Sequence, residues 1–297
     1  MTARRRLVRV PASSANLGPG YDVLAAALAL ELELEVSETG EFEVDAGPDS
    51  DHLPSDRSNL VVRAFEVLHP ADGLRFEIRS GIPLARGLGS SAAAIVAGLV
   101  AADHLYELAL SEKELLALGT EIEGHPDNVA AAIFGGIVIC DPIPEGGKPD
   151  CSRFPPPDGL EGVLVIPNSE EVPTDEAREA IPKQIPTREA LGNIFSAARL
   201  TLGLYRGDLG LIAASLNDNI HQRRRRDLYP RSMELVEKAP ELGALGATIS
   251  GAGPTVLVWT TWQDAGKVTE SLEERCGDWA EIRRIGFSDQ RADVPEL

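Results

Sequence analysis

The sequence predicts an α+β fold in which helices and strands are mixed rather than strictly alternating. Two segments, Ala29–Val36 and Leu74–Arg79, alternate apolar and charged residues with the two-residue period of a half-buried strand. Between these strands and the later ones lies an alanine-rich segment, from Ser90 to about Leu108, with the composition of a long helix. The elements do not follow the regular strand–helix order of a doubly wound parallel sheet, which leaves the α+β class.

The N-terminal half of the chain contains further elements. Ser58 is predicted to cap a helix that runs to Leu68, and Ser111–Glu114 has the form of a capping box that opens a helix to about Glu123. Strands are predicted at Glu41–Val44 and Gly135–Ile139. A short strand is also expected before a glycine-rich segment near residue 16, with a helix after that segment.

A proline- and glycine-rich stretch, Asp141–Gly159, is interpreted as a linker. The length of 297 residues allows two domains, which we predict at residues 1–155 and 156–297. The second half is predicted to contain strands and helices at Val163–Ile166, Thr187–Tyr205, Leu209–Asn217, Arg231–Lys238, Ala247–Ser250, Val256–Trp259 and Gln263–Arg275.

Composition excludes several classes of partner. The formal net charge of -19 repels nucleic acid and anionic lipid, so neither is expected to bind. Cys140, Cys151 and Cys276 are widely spaced and form no C-x-x-C pair, which predicts neither a disulfide framework nor a zinc site. No run of 18 apolar residues occurs, and the basic start of the chain is followed by no apolar segment. We expect a soluble, cytoplasmic protein.

The segment Pro83–Ala94, with the sequence P-L-A-R-G-L-G-S-S-A-A-A, has the character of an anion site. Its glycines let the backbone approach a ligand, and its two serines open a long helix whose free amides and dipole favour phosphate. The alternative is a tight turn with an N-cap serine, which would account for only one glycine and one serine.

Two other phosphate-binding motifs are alternatives for this segment. The Walker pattern G-x-x-x-x-G-K-[ST] does not occur in the chain. Gly87–Ala92 matches the dinucleotide pattern G-x-G-x-x-A, but that pattern must directly follow a buried parallel strand, and here Pro83 and Arg86 interrupt the approach. A Rossmann-type site is disfavoured.

Two more glycine-rich segments flank this one in sequence. Val10–Asp22 brings Asn16 and Asp22 to a glycine loop, an amide and a carboxylate suited to an ammonium and a hydroxyl. Taken singly, either residue is more often part of an Asx-turn or a cap. The segment Gly246–Thr255 lies between two predicted strands and, by itself, is more often a glycine hairpin than a site.

Together, in this order and spacing, the three segments resemble the GHMP kinase superfamily over about residues 8–259. The resemblance implies two α+β domains, the N-terminal one like ribosomal protein S5 and the C-terminal one ferredoxin-like, with ATP and substrate in the cleft between them. Within the superfamily, four strings are similar to the homoserine kinase family: Pro11–Asp22, Glu123–Ala130, Pro173–Arg178 and Asn219–Gln222.

This second resemblance implies phosphorylation of the hydroxyl of L-homoserine by ATP with Mg²⁺, a step of threonine biosynthesis, and allows a homodimer. Two alternatives stay open. One is another GHMP kinase acting on mevalonate, shikimate or a diphosphocytidyl polyol. The other is a non-catalytic ATP-binding regulator.

The resemblance also implies roles for individual residues. The triphosphate is expected at Pro83, Ala85, Arg86, Gly87, Leu88, Gly89, Ser90, Ser91 and Ala92. Ser91 and Glu123 are expected to hold Mg²⁺, with Glu121 as the alternative because the alignment can shift by two residues.

Homoserine is expected at Asn16, Asp22, His125, Thr174, Arg178, Arg225 and Gly251. An arginine fork suits its carboxylate, and the resemblance assigns Arg178 and Arg225 to that task. Arg225 belongs to the run Arg223–Arg226, not all of which can point inward. Ser91, Asp127 and Asn128 are the catalytic candidates, and whether a base is used at all is left open.

Overall fold

The computed structural model describes residues 4–47, 53–142, 149–169 and 172–296. Its first half contains β1 (Arg5–Ala15), β2 (Leu24–Glu38), β3 (Glu43–Asp45), α1 (Leu60–Glu66), β4 (Leu74–Ser80), α2 (Ser90–Tyr106), α3 (Glu112–Glu123), α4 (Asp127–Phe134), β5 (Ile137–Cys140) and β6 (Cys151–Phe154). The strands form one sheet in the order β3-β4-β2-β5-β6, with β1 also paired to β2. All of its pairings are antiparallel except that of β3 with β4.

The second half contains β7 (Leu160–Pro167), α5 (Thr174–Glu179), α6 (Thr187–Arg206), α7 (Leu209–Ala213), α8 (Pro230–Lys238), β8 (Gly246–Ile249), β9 (Val256–Thr261), α9 (Ala265–Cys276) and β10 (Ala280–Gly286). Its strands form a separate antiparallel sheet in the order β10-β7-β9-β8. Helices packed against two largely antiparallel sheets place the chain in the α+β class that the sequence predicted.

Helix α2 is central to the first half because its small residues let neighbouring backbones come close. Most of its residues are buried, and it packs against α1, α4 and β1. At Gly98 an added Cβ would lie 2.3 Å from the carbonyl oxygen of Val61 in α1. Such a distance is too short for any side chain, so the composition of α2 fixes how closely α1 can pack.

The end of the chain returns to the first sheet. The amide of Ser288 donates to the carbonyl of Ala27 at 2.9 Å, and the amide of Gly136 donates to the carbonyl of Ser288 at 2.9 Å. Arg9 and Asp293 exchange two backbone hydrogen bonds of 3.0 Å each. The proposed domain boundary, 155/156, lies between β6 and β7. The last segment comes after that boundary in sequence, yet it packs against the sheet of the first proposed domain.

Several local predictions were wrong for identifiable reasons. The segment after residue 16 continues into β2 rather than a helix. Asn59, not Ser58, caps α1, and its side chain accepts from the amide of Val61 at 3.0 Å. Residues 143–148 of the predicted linker lie outside the described residues, and Cys151–Phe154 forms β6 because it pairs with the edge of β5. Helix α4 and strand β10 were not predicted from the sequence. The capping box at Ser111 is confirmed.

Within the described ranges, none of the helices has both the length and the apolar composition that crossing a bilayer requires.

Candidate active site

The three glycine-rich segments meet at one point between the two sheets. The amide of Ser13 donates to the carbonyl of Leu88 at 3.1 Å, and the amide of Gly251 donates to the carbonyl of Ala15 at 3.0 Å. The hydroxyl of Ser250 lies 2.7 Å from the carbonyl oxygen of Gly87 and 2.8 Å from the hydroxyl of Ser14. Because a carbonyl only accepts, Ser250 donates to Gly87 and accepts from Ser14.

Gly87 and Gly89 are required for this junction by both conformation and space. Their φ angles are +74° and +68°, in the left-handed region that L side chains rarely adopt. A Cβ at Gly87 would lie 2.2 Å from the carbonyl oxygen of Ser250, and one at Gly89 would lie 2.1 Å from the hydroxyl of Ser13.

The junction leaves the N-terminus of α2 directed into a cleft. Gly89 is the N-cap of this helix and provides no capping side chain, so the alternative of a serine N-cap is wrong. Ser90 and Ser91 are the first two helical residues, and both line the cleft. An uncapped N-terminus of a 17-residue helix presents free amides and a partial positive charge to an anion.

The cleft is a cavity of about 150 Å³. Of the residues predicted for the site, it is lined by Asn16, Asp22, Ala85, Gly87, Gly89, Ser90, Ser91, Glu123, His125, Asp127, Asn128, Thr174, Arg178, Arg225 and Gly251. All three predicted catalytic candidates and all seven predicted substrate residues are therefore brought together.

Near the helix N-terminus, the cleft holds a carboxylate that has no arginine or lysine partner among the described residues. Glu123, the last residue of α3, accepts a 2.5 Å hydrogen bond from the hydroxyl of Ser91. Its side chain is 10% exposed, and its Oε1 lies 3.9 Å from His125 Nε2. Burial raises the pKa of Glu123, partly opposed by the Ser91 hydrogen bond and the charge of His125. Such a carboxylate is suited to a cation.

His125 bridges this carboxylate to the buried Asp127. Its Nδ1 lies 2.7 Å from Asp127 Oδ1, which also accepts from the amide of Asn128 at 2.8 Å. Burial disfavours the imidazolium, but the Asp127 hydrogen bond and the charges of Asp127 and Glu123 outweigh it, so the pKa of His125 is raised. The side-chain oxygen of Asn128 accepts from the hydroxyl of Ser13 at 2.8 Å.

Asp22 and Arg178, which also line the cleft, form a bidentate ion pair. The two guanidinium nitrogens lie 2.9 and 3.0 Å from the two carboxylate oxygens. Arg178 also donates to the hydroxyl of Tyr21 at 3.2 Å. Asn16 holds Asp22 in place, because its side-chain oxygen accepts the Asp22 amide at 2.9 Å while its nitrogen donates to Gly251 at 2.8 Å.

Arg225 is buried, and its guanidinium group forms hydrogen bonds to three separate segments around the cleft. Its Nε donates to the carbonyl of Ala177 at 2.8 Å, and one terminal nitrogen donates to the carbonyl of Gly251 at 3.2 Å. The same nitrogen lies 3.3 Å from Nδ1 of His221, whose Nε2 donates to the carbonyl of Gly18 at 2.8 Å. As predicted, the four arginines do not all point inward, since Arg226 pairs with Glu237 on the surface.

Some predicted residues do not line the cavity. Leu88 and Ala92 are buried in the core, Pro83 lies outside the cavity, and Arg86 donates to the carbonyl of Asn168. Glu121 is exposed and lies apart from the cavity. Thr174, the first residue of α5, does line the cavity.

The cavity is also lined by Gly253, which the third glycine-rich segment brings to the cleft, and by residues with no predicted role: Ala15, Tyr21, Val172, Pro173 and Ala252. Tyr21 is the main omission. The guanidinium carbons of Arg178 and Arg225 lie 5.9 and 5.6 Å from the centre of its ring. Its place beside Asp22 in the first glycine-rich segment was the available signal.

Comparison with known proteins agrees with this geometry. Residues 59–136 match the family model for the GHMP kinases N terminal domain, and residues 200–278 match that for the GHMP kinases C terminal domain. A homoserine kinase of Deinococcus radiodurans is 42% identical over 86% of this chain and 84% of its own length. This chain belongs to the homoserine kinase family.

Two further members support the assignment over nearly the full length. A homoserine kinase of Streptomyces coelicolor is 41% identical over 98% of this chain and 94% of its own. The crystal structure of homoserine kinase from Cytophaga hutchinsonii superposes with a TM-score of 0.86 at 29% identity, covering 99% of this chain and 98% of the other. The two-domain GHMP kinase fold predicted from the sequence is confirmed.

The Gly87 junction can be tested with two alanine substitutions. Gly87→Ala and Gly40→Ala both force a left-handed backbone onto alanine, at a cost of about 1 kcal/mol each. Only Gly87 has an atom in the way, since nothing lies within 4 Å of a Cβ at Gly40. We expect Gly87→Ala to lower Tm at least about twice as much as Gly40→Ala. Equal losses in thermal denaturation would show that Ser250 does not pack against Gly87.

Proposed function

We propose that this protein transfers the γ-phosphate of ATP to the hydroxyl of L-homoserine, giving O-phospho-L-homoserine and ADP in threonine biosynthesis. The proposal rests on one observation: a single cleft contains two binding regions of different chemistry. An uncapped helix N-terminus with a nearby carboxylate suits a metal-bound triphosphate, and an Asp22–Arg178 ion pair suits a zwitterionic amino acid.

At the nucleotide end, Ser91 and Glu123 are the residues that would hold Mg²⁺. Magnesium is commonly bound by one or two carboxylates together with phosphate oxygens, so a site with a single buried carboxylate and a hydroxyl matches its needs. The described residues contain no cluster of three or more His, Cys, Asp or Glu side chains that could hold a metal without a nucleotide. When bound, the ion would neutralise charge on the phosphates. The free amides at the N-terminus of α2 would neutralise part of that charge as well.

At the amino-acid end, Asp22 and Arg178 match the two charges of the substrate. An α-ammonium can pair with the Asp22 carboxylate, and an α-carboxylate can take the fork of Arg178. An entering zwitterion would replace the bond between the two side chains with two bonds of the same kind, so neither charge is left unpaired. An alcohol that lacks the ammonium would separate the pair without satisfying Asp22.

In the transfer step, the substrate hydroxyl oxygen bonds to the γ-phosphorus while the bond to the bridging oxygen of ADP breaks. Placing these atoms in line and balancing the phosphate charge account for most of the catalysis in such reactions. Asp127, held by His125 and the start of α4, is the candidate acceptor for the hydroxyl proton. Asn128 cannot act as a base, and its side-chain oxygen is already bound to Ser13.

The cytoplasmic location, the homodimer and the absence of nucleic-acid or membrane partners stay predictions from the sequence. A non-catalytic regulator is disfavoured because the helix N-terminus, Ser91, Glu123 and the ion pair are all in place.

A substrate panel tests the proposed reaction. With ATP and Mg²⁺, kcat/KM for L-homoserine should exceed that for mevalonate or shikimate by at least about 100-fold, because only homoserine satisfies both charges of the ion pair. ADP release measures each rate, and ATP alone gives the background. A larger kcat/KM with mevalonate or shikimate would assign another substrate to the same fold.

The ion pair can be tested with two substrate analogues that each lack one charge. 3-Aminopropan-1-ol lacks the carboxylate of homoserine, and 4-hydroxybutyrate lacks the ammonium. Arg178→Ala should reduce the preference for homoserine over 3-aminopropan-1-ol by about 10- to 100-fold, and Asp22→Asn should reduce the preference over 4-hydroxybutyrate similarly. If each variant slows all three alcohols by one common factor, these side chains do not read the two charges separately.

The choice between Glu123 and Glu121 as metal ligand can be decided by magnesium titration. Glu123→Gln should raise the Mg²⁺ concentration for half-maximal activity by about tenfold or more, because it removes the only charged ligand proposed. Glu121→Gln serves as the matched control on the same helix and should leave that concentration unchanged. The reverse result would move the metal to Glu121.

A further inference from the structure

Two of the three cysteines lie opposite each other on neighbouring strands. Cys140 is the last residue of β5, Cys151 is the first residue of β6, and the two are direct partners in the antiparallel pairing. At the next position the amide of Asp141 donates to the carbonyl of Asp150 at 2.9 Å. Because hydrogen-bonded and non-hydrogen-bonded pairs alternate, Cys140 and Cys151 occupy a non-hydrogen-bonded pair, where side chains approach most closely.

This position satisfies the main geometric demand of a disulfide. Partners in a non-hydrogen-bonded pair have Cα atoms roughly 4.5 Å apart, within the range of about 4.4–6.8 Å that a disulfide spans. Directly opposite residues also place their side chains on the same face of the sheet. The two sulfurs can therefore be joined without moving either strand to a new register.

The two thiols differ in exposure and in acidity. Cys140 is buried and Cys151 is partly exposed. The Cys151 thiol donates to the carbonyl of Ser152 at 3.6 Å, and its contact with Cys140 lowers the pKa of Cys151 and raises the pKa of Cys140. Burial and the nearby Asp150 carboxylate oppose the lowering at Cys151. Cys151 is thus both the more accessible and the more readily ionised of the two.

We propose that Cys140 and Cys151 form a redox-sensitive pair that a low-molecular-weight disulfide converts to a cross-strand disulfide. The Cys151 thiolate attacks one sulfur of the small disulfide and expels one small thiolate, giving a mixed disulfide. Cys140 then loses its proton, attacks Cys151 Sγ and expels the second small thiolate. Two protein thiols are oxidised, and the small disulfide is reduced to two thiols.

The disulfide would fasten an edge of the first sheet. Strand β6 is the last strand in that sheet, and among the residues that the structure describes it pairs only with β5. Cys140 is also tied to the sheet interior, since its amide donates to the carbonyl of Val23, beside Asp22, at 2.8 Å. Cross-linking at this pair closes the chain between β5 and β6 and restricts the unfolded state.

The test is oxidation of the full-length protein with oxidised glutathione, followed by thiol counting and peptide mapping. Free thiols should fall from three, the number in the reduced protein, to one. A protease that cuts after glutamate separates the two cysteines at Glu145, so the oxidised protein should yield a disulfide-linked pair of peptides. Reduction with dithiothreitol should restore all three thiols, and the oxidised protein should have a Tm higher by about 3 °C.

Substitutions separate this pair from nonspecific oxidation. Cys276, buried in α9, is the control: Cys276→Ser should still lose two thiols and gain the same Tm shift. Cys140→Ser should stop at the mixed disulfide on Cys151, and Cys151→Ser should keep its thiols free with no Tm shift. Three remaining thiols in the oxidised wild type, or a stable mixed disulfide with Cys140 still free, would overturn the proposal.

Discussion

The structure of the cleft depends on the contact between the Gly87 carbonyl and the hydroxyl of Ser250. This hydrogen bond joins the loop before α2 to the segment between β8 and β9. The Ser250 hydroxyl also accepts a hydrogen bond from the hydroxyl of Ser14, which connects β1 to the same point. Elements from both sheets are thereby held within a few ångströms of one another. The contact is possible only because residue 87 is glycine. A Cβ atom at that position would collide with the carbonyl oxygen of Ser250.

The electrostatics of the cleft are local and differ from those of the whole molecule. A chain of formal net charge -19 repels anions at long range, yet the cleft presents a helix N-terminus and two arginines. Hydrogen bonds already hold both guanidinium groups in position: Arg178 is bound by Asp22, and Arg225 is bound by backbone carbonyls. An anion therefore meets donors fixed in position by neutral or paired partners, and these require little reorganisation when it binds.

Short patterns with a strong local cause were predicted well. The alternating segments became β2 and β4, the capping box opened α3, and the alanine-rich segment became α2, because each depends on neighbours within a few residues. The predictions failed where distant contacts decide. Residues 151–154 became a strand only because β5 offers an unpaired edge. The segment after Asn16 extends as β2 because β1, β4 and β5 all pair with that strand.

By itself, the sequence determined the α+β class and a glycine- and serine-rich segment suited to an anion, and its resemblance to the homoserine kinase family named most of the residues that line the cleft. Only the tertiary structure decided that Glu123 rather than Glu121 borders the cleft, that Asp22 and Arg178 are partners, and that Cys140 faces Cys151. Each of these depends on the direction of a side chain relative to another element. That direction is set by packing and register between segments far apart in the chain, which no local pattern records.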